Sequence, residues 1–123
     1  MLKSLRLSSS PADPRSGRKN LLTPEEAERI ARHFSALASA TRVQILHVII
    51  HLGTPCVSDI MAAVEMKAQA VSNQLRKLTE MGILRASRRG NHVHYRLEHP
   101  AVKALLRYGL ELSGRMEKGR IGT

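Results

Sequence analysis

Residues 57–97 read VSDIMAAVEMKAQAVSNQLRKLTEMGILRASRRGNHVHYRL, and this stretch decides the fold. Ser58 can cap a short helix from Asp59 to about Val64, with Ile60, Met61 and Val64 turned inward. A turn follows at Glu65-Met66. The next helix spans roughly Lys67 to Met81. Its apolar positions Val71, Leu75 and Leu78 fall four and three apart, which is one stripe of a 3.6-residue period. Gly82 stops that helix. Ile83 to Ser87 and His92 to Leu97 then alternate in character, and Arg88-Arg89-Gly90-Asn91 lies between them with Gly90-Asn91 as a hairpin turn. Val93, Tyr95 and Leu97 point one way; His92, His94 and Arg96 point the other, towards solvent or a ligand. The order predicts a helix-turn-helix followed by a two-stranded wing.

Such a helix fits a major groove when its outer arc is polar and its inner edge is anchored. With Val71, Leu75 and Leu78 inside, the outer arc carries Gln69, Ser72, Asn73, Arg76 and Lys77. Gln and Asn pair bidentately with adenine, and Arg with guanine. Ser72, Lys67 and Lys77 suit phosphates. For one isolated helix, a solvated face would be the better account. A short helix, a turn and a basic hairpin attached in sequence favour double-stranded DNA. At the hairpin, Arg88, Arg89, Asn91 and His92 form a tip able to lie along phosphates or enter a narrow minor groove.

Outward from this segment the chain adds helices on both sides. Thr23-Pro24-Glu25-Glu26 is a helix start, with Thr23 and Glu26 as a capping box and Pro24 at the first helical position. That helix runs to about Ala38 and aligns Ala27, Ile30, Ala31, Phe34 and Leu37. Ser39 caps a second helix to about Leu52, apolar nearly all round and so expected in the centre. Gly53 ends it and Pro55 prevents its resumption. The last helix, Pro100 to about Ser113, is more apolar than a small domain can hide. The expected architecture is mainly α with one antiparallel β-hairpin, in the order α-α-α-α-β-β-α, and homodimeric. Ala27, Ile30 and Phe34 on the first helix and Ala101, Leu105, Tyr108, Gly109 and Leu112 on the last are the expected dimer contacts. Residues 1–20 read as a disordered basic arm, 21–113 as the winged helix-turn-helix domain, and 114–123 as a flexible tail.

Charge supports a polyanionic partner. Twenty Lys and Arg oppose ten Asp and Glu in 123 residues, a formal net charge of +10. Between Met66 and Leu97 seven basic residues face Glu80 alone, so the excess lies on the motif as well as on the arm. The one cysteine, Cys56, excludes an intramolecular disulfide and points to a reducing compartment. No signal-peptide pattern opens the chain, and its most apolar window, Val43 to Leu52, is too short for a bilayer. These features predict a soluble cytoplasmic protein on the nucleoid, with no membrane partner. Ser-His-Asp, paired-carboxylate and phosphate-loop patterns are missing, which argues against an enzyme.

Four stretches together resemble the ArsR/SmtB family of bacterial winged-helix repressors: ASATRVQIL (38–46), CVSDI (56–60), AVSNQLRKL (70–78) and GNHVHYRL (90–97). The likeness covers about Ala27 to Leu112. It implies a homodimer built by the first and last helices, two recognition helices in successive major grooves of an inverted repeat, and repression relieved by an inducer. Departures bear on that inducer. Many members carry Cys-Val-Cys where this chain has Cys56-Val57-Ser58. The last-helix metal positions fall at His99, Ala101, Leu112 and Arg115, three of which cannot bind metal. Glu65 and Lys67 replace the usual turn Gly and capping Ser, and the lost cap costs roughly 1 kcal/mol.

Cys56, Asp59 and His99 are therefore weak metal candidates. Cys56 reads better as a small residue beside a cap and Asp59 as a first-turn acid. His99 reads better as a cap or first-turn residue. His47 and His51 match i, i+4 ligand spacing but lack a third ligand, so packing or a surface pair is the better account. The expectation is a dimeric repressor without the usual metal sites or any cofactor, its inducer unidentified. The alternatives are an interaction module that kept the fold but lost sequence readout, and a metal- or redox-responsive repressor using Cys56.

Overall fold

In the computed structural model, residues 20–115 are described; all but the last residue of the expected basic arm (1–20) and most of the expected tail (114–123) lie outside them. Seven elements follow in order: α1 Pro24–Leu37, α2 Ala40–Leu52, α3 Val57–Ala63, α4 Ala68–Glu80, β1 Leu84–Arg89, β2 His92–Leu97 and α5 Pro100–Leu112. The chain divides into two units, one ending at Ala36 and the other starting at Leu37.

The first unit contains most of α1. Its start is the expected capping box: the Glu26 N–H donates to Thr23 Oγ1 (3.1 Å), and the Thr23 N–H donates to Glu26 Oε1 (2.9 Å). Two orphan donors of the first turn are satisfied in this way. Ile30 and Phe34 remain exposed, Phe34 by 54%.

The second unit is built around α2, α3 and α4. Ser39 accepts from the Arg42 N–H at 3.3 Å and opens α2. Ile45, Leu46 and Ile49 of α2 are shut off from water, together with Ile60, Val71, Leu75 and Leu78. Burial of each large aliphatic side chain contributes about 1.5–3 kcal/mol. Helix α2 is less central than its composition suggests, because Val43 and Leu52 at its two ends are exposed. It packs on α3, β2 and α5, while α3 packs on α4 and β2.

Two boundaries differ from the sequence reading. Helix α3 begins at Val57, with Cys56 rather than Ser58 at the cap position. The Asp59 carboxylate three residues on accepts the Cys56 N–H at 3.1 Å. This return bond does not need a hydroxyl at the cap, so the acid sets the start. Strand β1 continues through Arg89 instead of ending at Ser87, with Arg88 opposite Val93 and Arg89 opposite His92. The turn is only Gly90-Asn91, and Gly90 takes φ +64°, a left-handed value that a two-residue hairpin turn requires.

Helix α4 closes with Gly82 at φ +79° and the Ile83 N–H bonded back to the Leu78 carbonyl at 3.0 Å. This reversal satisfies a terminal carbonyl and sends the chain directly into β1. Helix α5 starts with Pro100 and buries Val102. Among the described residues, no single helix is long and apolar enough to cross a membrane.

Candidate nucleic-acid interface

Anchoring of α4 determines which of its side chains face outward. Val71, Leu75 and Leu78 are completely buried, so the opposite arc is fixed by helical geometry. Gln69, Ser72, Arg76 and Lys77 are exposed and Asn73 is half-buried. Asn73 Oδ1 accepts from Gln69 Nε2 (3.2 Å) and lies 3.4 Å from Arg76 Nη1. The three residues expected to read bases therefore form one connected group on one face. Arg76 also reaches Glu80 at 3.9 Å, a loose and exposed i, i+4 pair of little energetic weight. Lys67 stands at the cap position and makes no side-chain cap hydrogen bond, as its replacement of Ser implies.

A polar tie fixes α4 from its flank. Arg42 Nε in the first turn of α2 donates to Gln74 Oε1 at 2.8 Å, between residues 32 apart in sequence. Gln74 lies beside the apolar stripe rather than on the outer arc. The sequence reading did not single out either residue.

The wing joins the rest of the second unit in two ways. At its base, the Glu98 N–H donates to the Ile83 carbonyl (2.9 Å), and Arg85 pairs with Glu98 at 3.1 Å. Higher on β2, the Tyr95 N–H donates to the Pro55 carbonyl (2.9 Å), and Cys56 forms a β-bridge with His94. The strand therefore has two hydrogen-bonding neighbours: β1 and the short segment before α3. His94 does not point freely to solvent or DNA, contrary to its alternation with Val93 and Tyr95. Its Nδ1 lies 2.8 Å from the Thr54 carbonyl, because residues 54–56 cover that part of the strand. His92, one position nearer the tip, stays exposed with Arg88, Arg89 and Asn91.

Two of the weak metal candidates, Cys56 and Asp59, bond locally to each other. Asp59 Oδ2 takes the Cys56 N–H and the thiol Sγ at 3.3 Å; Cys56 Sγ also lies 3.2 Å from Ser58 Oγ. The backbone bond from Cys56, then its side-chain bond, hold the Asp59 carboxyl below its ordinary value, with smaller help from His94 and His92. His99 is at the cap position of α5 without a cap hydrogen bond, and the His47 and His51 rings lie 4.6 Å apart on α2. Among the described residues, no group of three His, Cys, Asp or Glu side chains is placed to hold a metal ion.

The expected dimer contacts are open in the single chain. On α1, Ala27, Ile30 and Phe34 are exposed. On α5, Ala101, Leu105, Tyr108, Gly109 and Leu112 are exposed, with Tyr108 at 55% and Leu112 at 90%. A side chain added at Gly109 would meet nothing.

Known proteins share this arrangement. The family described as "Bacterial regulatory protein, arsR family" matches residues 39–86. The cadmium resistance transcriptional regulatory protein CadC homolog of Staphylococcus aureus is 33% identical over 88 residues, which cover 72% of this chain and 73% of that protein. The crystal structure of the AntR antimony-specific transcriptional repressor superposes with a TM-score of 0.72 at 43% identity, covering 85% of this chain and 95% of the other. A homodimeric winged helix-turn-helix DNA-binding domain from Mycobacterium bovis gives a TM-score of 0.64 at 27% identity, covering 75% and 87%.

Proposed function

From the premise that this chain belongs to the ArsR family of bacterial regulatory proteins, as a winged-helix DNA-binding transcriptional regulator and not an enzyme, we propose that it is a dimeric repressor of an inverted-repeat operator. The observation carrying this reading is the connected Gln69–Asn73–Arg76 group on the open side of a helix whose other side is wholly buried. Gln69, Asn73 and Arg76 read base edges. Ser72 and Lys77 grip the phosphates beside the groove, and Lys67 holds the backbone at the start of the helix. Arg88, Arg89, Asn91 and His92 extend the contact along the flanking backbone. Selection from random duplexes tests the reading: recovery of an inverted repeat supports it, and featureless salt-sensitive binding alone refutes sequence readout.

The second copy docks through α1 and α5, whose exposed Phe34, Leu105, Tyr108 and Leu112 supply apolar area. Light scattering at micromolar concentration should give twice the chain mass of 13.6 kDa; a monomer would contradict the dimer.

The usual metal sites of the family are lost. Cadmium and trivalent antimony favour thiolate ligands, and one cysteine per chain gives a dimer only two thiols. A dimer of this chain therefore offers at most two thiols to the cadmium and antimony in the relatives' names. Calorimetric titration with cadmium, zinc, nickel and antimonite should show no tight stoichiometric binding. Tight binding that releases DNA would establish a metal-responsive repressor instead.

A further inference from the structure

The wing has little apolar anchorage, yet it must hold a basic edge in place. No residue of β2 is fully buried, and β1 buries only Leu84 at its base. Above that base β2 packs on α2, α3 and α5, and its hydrogen bonds outside the hairpin go to the segment before α3. Two interactions meet there: the backbone bridge between His94 and Cys56, made by the Tyr95 N–H on the Pro55 carbonyl, and the His94 ring on the Thr54 carbonyl. The first is a backbone pairing open to any residue except proline at position 95. Only the second depends on a side chain.

A carbonyl oxygen only accepts, so His94 Nδ1 must carry the hydrogen and donate. The neutral Nδ1–H tautomer and the imidazolium both meet that requirement. His94 is two residues from exposed His92, which lies opposite Arg89, and it directly precedes Tyr95 in the same strand. Displacement of β2 at this point would move Arg88 and Arg89 with it, since both are paired to Val93 and His92.

We propose that His94 is a positioning residue of the wing, its Nδ1–H clamping β2 to the Thr54 carbonyl and so setting where Arg88 and Arg89 meet the DNA backbone. The clamp stands on the fold alone; its consequence for DNA rests on the phosphate role proposed above for those arginines. The loop before α3 thereby acts as the second support of the wing, and the backbone of Thr54, ahead of the helix-turn-helix, holds a strand position 40 residues later.

Two readouts separate the clamp from its consequence. The first is amide hydrogen exchange of the full chain. His94→Ala should raise the exchange rate of the Tyr95 amide at least tenfold while amides of α4 keep theirs. His94→Asn, whose amide nitrogen occupies the place of Nδ1, should restore protection within about threefold, whereas His94→Gln, which extends too far, should not. Unchanged exchange in His94→Ala, or failure of Asn alone to rescue, overturns the clamp.

The second readout is binding to a 40-base-pair duplex of mixed sequence across a salt series. In the proposed dimer Arg88→Ala/Arg89→Ala removes four arginines, so it should reduce the log–log salt slope by about 3.6, near 0.9 per phosphate contact. His94→Ala should lower affinity three- to tenfold with a reduced slope, His94→Asn should bind within twofold of the wild type, and His94→Ala added to the arginine double variant should cost less than twofold more. Full additivity, or wild-type binding by His94→Ala, overturns the positioning role. An unchanged slope in the arginine double variant overturns the phosphate role on which that consequence rests, and it leaves the exchange result to judge the clamp.

Discussion

Helix α4 rests on Val71, Leu75 and Leu78, three side chains that water does not reach, whereas none of the six residues of β2 is fully buried. Both elements present polar and basic groups outward. They are held in place by a different balance: α4 by fully buried apolar packing that tolerates no void, and the wing by partial packing on α2, α3 and α5 with a few directional bonds to neighbouring backbone. Packing of the first kind fixes a face firmly. Bonds of the second kind contribute about 0.5–1.5 kcal/mol each and open locally. An element that reads base edges, the role proposed for α4, needs the firmer mounting, because a bidentate contact loses its value when the helix rotates. An element that follows phosphates, the role proposed for the wing, can tolerate play, because the backbone offers a contact at every step.

This contrast is sharpest in stability. Leu75→Ala should destabilise the fold by about 2–5 kcal/mol in chemical denaturation. Val93→Ala, at a half-buried wing position, should cost less than about 1.5 kcal/mol. Equal losses would break the distinction between the two mountings. The flank tie of α4 belongs to the directional class despite its location. Arg42→Ala or Gln74→Ala should lower stability by about 0.5–1.5 kcal/mol, and the double variant should cost less than the sum of the singles, since one bond joins the pair.

Acid provides a smaller probe, at the root of the wing support. Because its bonds to Cys56 lower the Asp59 pKa on folding, the unfolded chain binds a proton there more readily than the folded one. The resulting stabilisation is present above the ordinary carboxylate value and fades as pH falls through the lowered one. Asp59→Asn should therefore lower stability at neutral pH and flatten the profile towards acid, where the variant and the wild type converge. A variant that tracks the wild type down the whole acid limb would mean that this carboxylate does not hold the start of α3.

The same division explains what was legible in the sequence. Helix α4, its stripe and its outer face follow from the spacing of Val71, Leu75 and Leu78, because burial imposes a period that one strand of text displays. The Thr23–Glu26 box, the Ser39 cap and the Gly90-Asn91 turn were readable because each is a bond or torsion among near neighbours. The start of α3 was missed by looking for a hydroxyl at Ser58, when the acid at Asp59 was the stronger local signal. The extent of β1 was missed because Arg88 and Arg89 carry no strand signature by themselves. Only their partners Val93 and His92 across the turn place them in a strand. Arg42–Gln74 and His94–Thr54 link residues 32 and 40 apart with a single hydrogen bond each, and no periodicity announces such pairs. Alternation placed His94 on the open face because it counts residues and not what folds over them.

The central claim is that the open face of α4 carries sequence readout. It is tested most directly by comparing Asn73→Ala/Arg76→Ala with the wild type on two duplexes at one salt concentration, one recovered by selection and one with the same bases scrambled. Each lost base contact should remove about 1–3 kcal/mol of discrimination, so the ratio of the two affinities should fall at least tenfold while binding to the scrambled duplex changes far less. An unchanged ratio would contradict the account.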